Sequence, residues 1–376
     1  MALITYLTRI QFDFGAIKLL PDELKLLCIK RPLIVTDKGV VAAGLAERVQ
    51  AAMGMAPAGL YDKTPANPTE RASVEAAALY KSVGADGIIA IGGGSSMDLA
   101  KAVALLATHE GPLRQYAMVE GGVPRITPKV APVVAIPTTA GTGSEVGRGA
   151  VIVFDDHRKL GVISPNLIPR LALCDPELTI GLPPALTAAT GVDAFAHCIE
   201  TFLSPVINPP AEAIALDGGM RVVKYLERAV ANGGDREARW NMMMAAMEGA
   251  MAFQKGLGAV HAMSHPLGGL PGVTLHHGTL NAVVMPAVLR FNEGHVGDKY
   301  DRLRQAFGLK PNADLARFVE DMNARLGLPK NLSAMGVTAA QITGLVGPAL
   351  ADHCAATNPR KLTAPDMEGL FRAALN

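Results

Sequence analysis

Asp193 and His197 stand four residues apart in the run Gly191-Val192-Asp193-Ala194-Phe195-Ala196-His197, inside a stretch whose pattern predicts a helix from about Pro184 onward. On a helix that spacing puts both side chains on one face, with about 6 Å between Cβ atoms. His261, His265, His276 and His277 follow some sixty residues later, so five of the nine histidines lie between positions 197 and 277. A carboxylate with several imidazoles is the donor set of a divalent first-row cation, zinc or ferrous iron, and not of an all-oxygen calcium site. Cys198 points off the Asp193 face and adds no thiolate. A lone Asp-x-x-x-His pair reads more simply as a hydrogen bond on a helix face; it is the later histidines that turn the reading toward metal.

These residues also resemble a known family. Gly191 to His197, then Gly258-Ala259-Val260-His261-Ala262-Met263-Ser264-His265-Pro266-Leu267-Gly268, then His276-His277-Gly278 followed by Asn281-Ala282 are similar to the two signature regions of the iron-dependent (group III) alcohol dehydrogenases. Position by position, the resemblance implies Asp193, His197, His261 and His277 as metal ligands, Fe2+ with Zn2+ as the alternative. His265 would sit beside the metal near the nicotinamide, as a proton relay or cofactor-positioning group. Two adjacent histidines stand where the family often has proline before the ligand, and His277 is assigned because it directly precedes Gly278.

A second set of residues suits a dinucleotide. Gly92-Gly93-Gly94-Ser95-Ser96 follows one predicted strand and opens a helix, so its N–H groups and the positive helix end can receive a pyrophosphate. It is not the Gly-x-Gly-x-x-Gly fingerprint, and by itself it could be a tight turn that binds nothing. Its extension to Asp98 resembles the family's phosphate loop, which implies Gly93, Gly94, Ser95 and Asp98 as NAD contacts. The small-residue loop from Thr138 to Glu145 matches the family's second cofactor loop through Thr138, Thr139 and Thr142, and otherwise reads as a plain solvent loop. Asn67, Lys159, Thr179 and Leu182 fall where family members also touch the dinucleotide. Asp37, ending an early strand, can accept hydrogen bonds from the adenosine ribose and would repel a 2′-phosphate, so NAD is expected over NADP. Arg148 and Phe253 are the candidate substrate residues. Arg148, flanked by two glycines, could grip a carboxylate bidentately, or else pair with Glu145 or lie in solvent.

The elements that must carry these groups change character along the chain. From residue 31, short β-branched runs alternate with amphipathic stretches, the pattern of a parallel sheet wrapped by helices. The expected strands are 33–36, 58–61, 87–91, 133–136, 150–154, 160–163 and 171–174, and the expected helices include 40–53, 69–83 and 97–107. After Asp175-Pro176, Ala/Leu/Met helical patterns run to the end. The expectation is therefore an α/β dinucleotide-binding domain with a parallel Rossmann-like sheet over 1–175 and an all-α metal-binding and catalytic domain over 176–376, the dehydroquinate synthase-like or iron-dependent alcohol dehydrogenase architecture. The 376 residues suffice for two cores.

Composition narrows the partners. With 35 basic and 34 acidic residues and no long basic run, nothing solicits nucleic acid or an anionic membrane. No stretch reaches the roughly 20 apolar residues of a membrane span. Four cysteines without a CxxC pair suit a reducing compartment, so a cytoplasmic enzyme is expected. The expected activity is NAD-dependent oxidation of a primary alcohol, including an ω-hydroxy acid, to its aldehyde, with the cation acting as a Lewis acid. Two rivals stand beside it: a dehydroquinate synthase-like or glycerol dehydrogenase-like enzyme of the same fold, and a non-catalytic nucleotide-binding protein. Relatives commonly pair through an N-terminal strand, which implies a homodimer joined near Thr8 to Phe12.

Overall fold

The computed structural model describes residues 8–270, 272–273 and 275–376. The chain divides into two compact units that part between Leu182 and Pro183. The sequence reading puts the change at residue 175, and local hydrogen bonding explains the difference. Buried Asp175 accepts from the backbone of Gly15 at 3.0 Å and Ile17 at 3.3 Å, and Leu178 is buried in the same core as Ile17, so this turn belongs to the first unit.

In the first unit a six-stranded sheet has the order β1-β8-β5-β4-β2-β3. These strands are β1 (Arg9–Phe12), β2 (Pro32–Val35), β3 (Gly59–Tyr61), β4 (Gly87–Gly92), β5 (Val133–Pro137) and β8 (Leu171–Cys174), and every pairing is parallel. Alternate side chains feed two separate cores. Leu33, Ile88, Ala90, Val133 and Ala135 face one side, and Ile34, Ile89, Ile91, Val134 and Ile136 the other. Burial on both faces is why these strands read as continuous apolar runs rather than as alternating ones.

Two expectations need correction. The runs at 150–154 and 160–163 do not complete this sheet. They form β6 (Gly149–Val153) and β7 (Lys159–Ile163), a separate antiparallel pair joined by a tight turn, as local pairing across a short loop favours. The helix expected over 40–53 is two, Lys38–Ala42 and Leu45–Met53, broken where Gly44 takes a φ of 72°. That left-handed conformation is open to glycine and ends the first helix.

The second unit is helical. Its centre is α2 (Pro184–Leu203), numbered after α1 (Gly94–Thr108) of the first unit, and every residue of α2 from Gly191 to Leu203 is buried. Its last carbonyls are received by two lysines. Lys255 Nζ donates to the Thr201 carbonyl at 2.9 Å, and Lys299 Nζ donates to those of Phe202 at 2.8 Å and Ser204 at 2.9 Å. Glu212 lies 3.1 Å and 3.3 Å from the two ammonium groups and offsets their charge. Cations at the negative end of a helix complement its dipole, and here they fix the element that carries Asp193 and His197.

Candidate metal centre and nucleotide loops

On α2, Asp193, His197 and Glu200 succeed one another at positions i, i+4 and i+7 of one buried face. Glu200 reaches α3 (Ala259–Gly268), whose first N–H groups lack helical partners. Its Oε1 accepts from Val260 N at 2.6 Å, and Asn358 Oδ1 accepts from Ala259 N at 3.2 Å. The same carboxylate lies 2.6 Å from His261 Nδ1, the position from which a neutral imidazole donates its N–H and keeps the Nε2 lone pair for the centre. One side chain therefore caps the second helix and sets the tautomer of the histidine on it.

The donor atoms converge. One ligand atom each from Asp193, His197 and His261 lies within 4.8 Å of the others. His277, opening α4 (His277–Asn292), brings Nε2 to 3.7 Å from Asp193 Oδ1, and His261 Nε2 lies 3.8 Å from the same oxygen. Asn281 Nδ2 marks the common centre, at 2.7 Å from Asp193 Oδ1, 3.2 Å from His261 Nε2 and 3.3 Å from His277 Nε2. Helix α4 can come this close to α2 because Gly278 has no side chain, and a Cβ there would collide with the Ala189 carbonyl. His276, by contrast, is exposed at the helix N-cap, with Nδ1 3.5 Å from Thr279 Oγ1.

Electrostatics suit a cation. Burial works against a charged His261, yet its hydrogen bond to Glu200 and the charges of Glu200, Asp193 and Asp352 outweigh that and raise its pKa. The four residues fit a first-row divalent ion: one carboxylate and three imidazoles, buried or half-buried, with Nε2 of His261 directed by its outer hydrogen bond.

His265, one turn beyond His261, packs its ring on that of His277 with centroids 5.6 Å apart and lies edge-on to His261 at 5.9 Å. Its Nδ1 sits 2.8 Å from Asp352 Oδ2. Burial alone would raise the pKa of Asp352, and the two neighbouring imidazoles, His265 and His353, hold it well below the usual carboxylate range instead. Phe253 meets the edge of the His197 ring at 5.4 Å, beside the same centre. Glu200 and Asp352 are not among the residues that the sequence pattern singles out. The first had a signal, its i+7 spacing from Asp193; the second, 87 residues from His265, had none.

In the first unit the glycine turn and the second loop pack together. Gly93 and Gly94 open α1, and a Cβ on Gly94 would run into the Thr142 side chain, while one on Gly93 would lie 3.2 Å from Thr139 Oγ1. Thr138 N donates to the Gly92 carbonyl at 2.9 Å, and Ser95 Oγ donates to the Ala66 carbonyl at 2.6 Å.

Asp98 does not face outward as a cofactor contact would. It is buried, accepting from Ser144 Oγ at 2.6 Å and Val151 N at 2.9 Å, so it ties α1 to the second loop. Fully buried Lys101 completes the tie, donating to Ser144 Oγ at 2.7 Å, the Gly147 carbonyl at 2.9 Å and the Gly149 carbonyl at 2.8 Å. Burial pulls its ammonium group down to about 8 against the opposing charges of Asp98 and Glu145. Lys159 donates to Asn67 Oδ1 at 3.0 Å, which joins two of the expected cofactor residues. Asp37 caps the following helix through Val40 N at 2.9 Å and accepts from Ser96 Oγ at 3.2 Å. Thr179 is buried and donates to the Pro176 carbonyl at 2.8 Å, and Leu182 N donates to the Thr179 carbonyl at 3.0 Å. Arg148 is exposed and makes no ion pair among the described residues, and Glu145, its expected partner, is buried. Burial raises Glu145 to about 7.

Comparison with known proteins shows the family. The family model described as iron-containing alcohol dehydrogenase matches residues 8–176, and the C-terminal model of the same family matches residues 187–375. The chain belongs to the iron-containing alcohol dehydrogenase family. A 4-hydroxybutyrate dehydrogenase of Cupriavidus necator is 58% identical over 382 residues, covering 100% of both chains. Among solved structures, an alcohol dehydrogenase from Oenococcus oeni superposes with a TM-score of 0.92 at 31% identity over 99% of this chain and 100% of its own. A sulfoacetaldehyde reductase from Bifidobacterium kashiwanohense, solved with NAD+, does so at 0.90 and 27% identity over 100% of this chain and 98% of its own. The protein is thus an NAD-dependent, iron-dependent alcohol dehydrogenase. Among the described residues, no helix is long and apolar enough to cross a membrane.

Proposed function

We propose that the protein interconverts a short ω-hydroxy acid, of the 4-hydroxybutyrate type, and its semialdehyde. The observation that carries this reading is the end-to-end similarity to a 4-hydroxybutyrate dehydrogenase at 58% identity. An exposed arginine without a carboxylate partner among the described residues supplies a group that can receive the substrate's distal carboxylate.

Asp193, His197, His261 and His277 would hold the iron, which when bound supplies a Lewis acid for the substrate oxygen. Glu200 keeps His261 Nε2 directed at the centre. His265, held through Nδ1 by Asp352, would present Nε2 to accept the hydroxyl proton of the alcohol, and a bound nicotinamide would supply the hydride acceptor. Phe253 shields the His197 side of the centre from water. Gly93, Gly94, Ser95, Thr138, Thr139 and Thr142 would receive the dinucleotide by backbone and hydroxyl groups, with Asn67 and Lys159 as a paired contact and Asp37 near the adenosine ribose. Zinc suits the same donors as a replacement ion.

We further place the enzyme in the cytoplasm, a reading that the four free cysteines support, and expect a homodimer joined through the sheet-edge strand β1. Light scattering on the purified protein would test the dimer, with a monomer mass contradicting it. The substrate assignment is tested by Arg148→Leu. It should cost 4-hydroxybutyrate about 2 kcal/mol or more in kcat/KM, the scale of removing one partner of a charge pair that the bound substrate itself encloses, and leave 1-butanol almost unchanged. Equal losses for both would show a structural arginine.

A further inference from the structure

A second group of chemistry-bearing side chains lies next to the iron ligands and takes no part in binding them. Asp352 caps the short 3-10 helix His353–Thr357 by accepting from Cys354 N at 2.8 Å through Oδ1, which aims Oδ2 at His265 Nδ1, 2.8 Å away. His353 Nε2 lies 3.5 Å from Cys354 Sγ, and its Nδ1 lies 3.5 Å from Asp352 Oδ1. The rings of His265 and His353 stack with centroids 5.9 Å apart at 20°. One donor atom from each of His265, Asp352, His353 and Cys354 falls within 4.8 Å of all the others.

The two separations of 3.5 Å that His353 makes match a tetrahedral site, and the 2.8 Å hydrogen bond between His265 and Asp352 would open slightly to admit the ion. With metal–nitrogen bonds of about 2.0 Å and a metal–sulfur bond of about 2.3 Å, neighbouring donors stand roughly 3.3 to 3.6 Å apart. Two imidazoles, one carboxylate and one thiol are the donors that select zinc over magnesium, calcium or manganese. The group is also half built for the purpose. Asp352 and Cys354 are tied by the cap, Cys354 is buried, and the His353 side chain keeps 25% exposure, which leaves a way in from solvent. We propose that His265, Asp352, His353 and Cys354 form a second cation site, selective for zinc, alongside the iron centre.

A cation there would occupy His265 Nδ1 and Asp352 Oδ2, the pair that orients the His265 imidazole, and so would slow turnover without displacing iron. The proposal does not depend on which alcohol is oxidised.

Cobalt makes the site visible. The iron ligands include no sulfur, so a thiolate-to-cobalt charge-transfer band in the near ultraviolet can arise only from a cysteine site. Iron-loaded enzyme titrated with Co2+ should develop that band and saturate at one equivalent. Zn2+ should abolish the band and slow turnover over the same concentration range. Cys354→Ser should lose the band and keep its iron and its zinc-free turnover. His353→Ala, a change at a partly exposed position, should weaken Co2+ binding at least tenfold and relieve zinc inhibition. The proposal is overturned if no thiolate band forms, if the band survives Cys354→Ser, if it vanishes instead with Cys28→Ser at the exposed cysteine, or if zinc inhibits wild type and both variants equally.

Discussion

The proposed metal centre and the proposed nucleotide loops differ in what they offer a ligand. At the metal centre side chains do the work. Asp193, His197, His261 and His277 send donor atoms from three buried helices toward one point, and Glu200 and Asn281 hold them there. At the glycine turn and the second loop, the proposed nucleotide site, the chain withdraws its side chains and leaves backbone. Gly93 and Gly94 approach Thr139 and Thr142 closely, while the charged residues nearby, Asp98 and Lys101, turn inward to brace the loops. A first-row divalent ion needs donors at fixed distances, whereas a phosphate needs N–H groups and room. Mutations in the two regions should therefore fail differently, the first through ligand geometry and the second through space.

Glu200→Gln probes the first kind of failure. The amide can still cap Val260 N but no longer holds His261 as an anion does, so iron affinity should fall about ten- to a hundredfold with NADH binding unchanged. Iron affinity equal to wild type would reduce Glu200 to a helix cap. Gly94→Ala probes the second. The added methyl has to push Thr142 aside, and crowding of this kind costs about 1 to 3 kcal/mol, so NADH affinity measured by fluorescence should drop about tenfold or more while iron content holds. Loss of iron in this variant would mean that the two regions are not separable. The smallest effect is expected from Asp37→Gly, which removes a cap and a negative charge together. Activity with NADP should rise a few-fold relative to NAD, and an unchanged ratio would leave Asp37 as the helix cap that its bond to Val40 already makes it.

The same contrast governs how much could be read from the sequence. The i, i+4 spacing of Asp193 and His197 survives into the structure because a helix converts spacing directly into direction. The strands were legible too, since burial on both faces leaves continuous Val/Ile runs such as Ile88 to Ile91. Spacing says nothing of partners from elsewhere in the chain, and so Asp352 went unread beside His265. Nor does it tell a charge that faces a ligand from one that braces a loop: Asp98, which the resemblance to the family's phosphate loop implies as a cofactor contact, lies buried against Ser144 and Val151. The two strands β6 and β7 carried the same composition as their neighbours, and only pairing partners could separate them from the main sheet.

The central claim is that His277, and not the adjacent His276, completes the centre with Asp193, His197 and His261. Iron content of the two single variants, His276→Ala and His277→Ala, tests it most directly, read alongside NADH binding as a check on folding. The account predicts that His277→Ala binds NADH but retains almost no iron and almost no alcohol oxidation, whereas His276→Ala keeps iron near one per chain. An iron-free His276→Ala beside an iron-replete His277→Ala would contradict it.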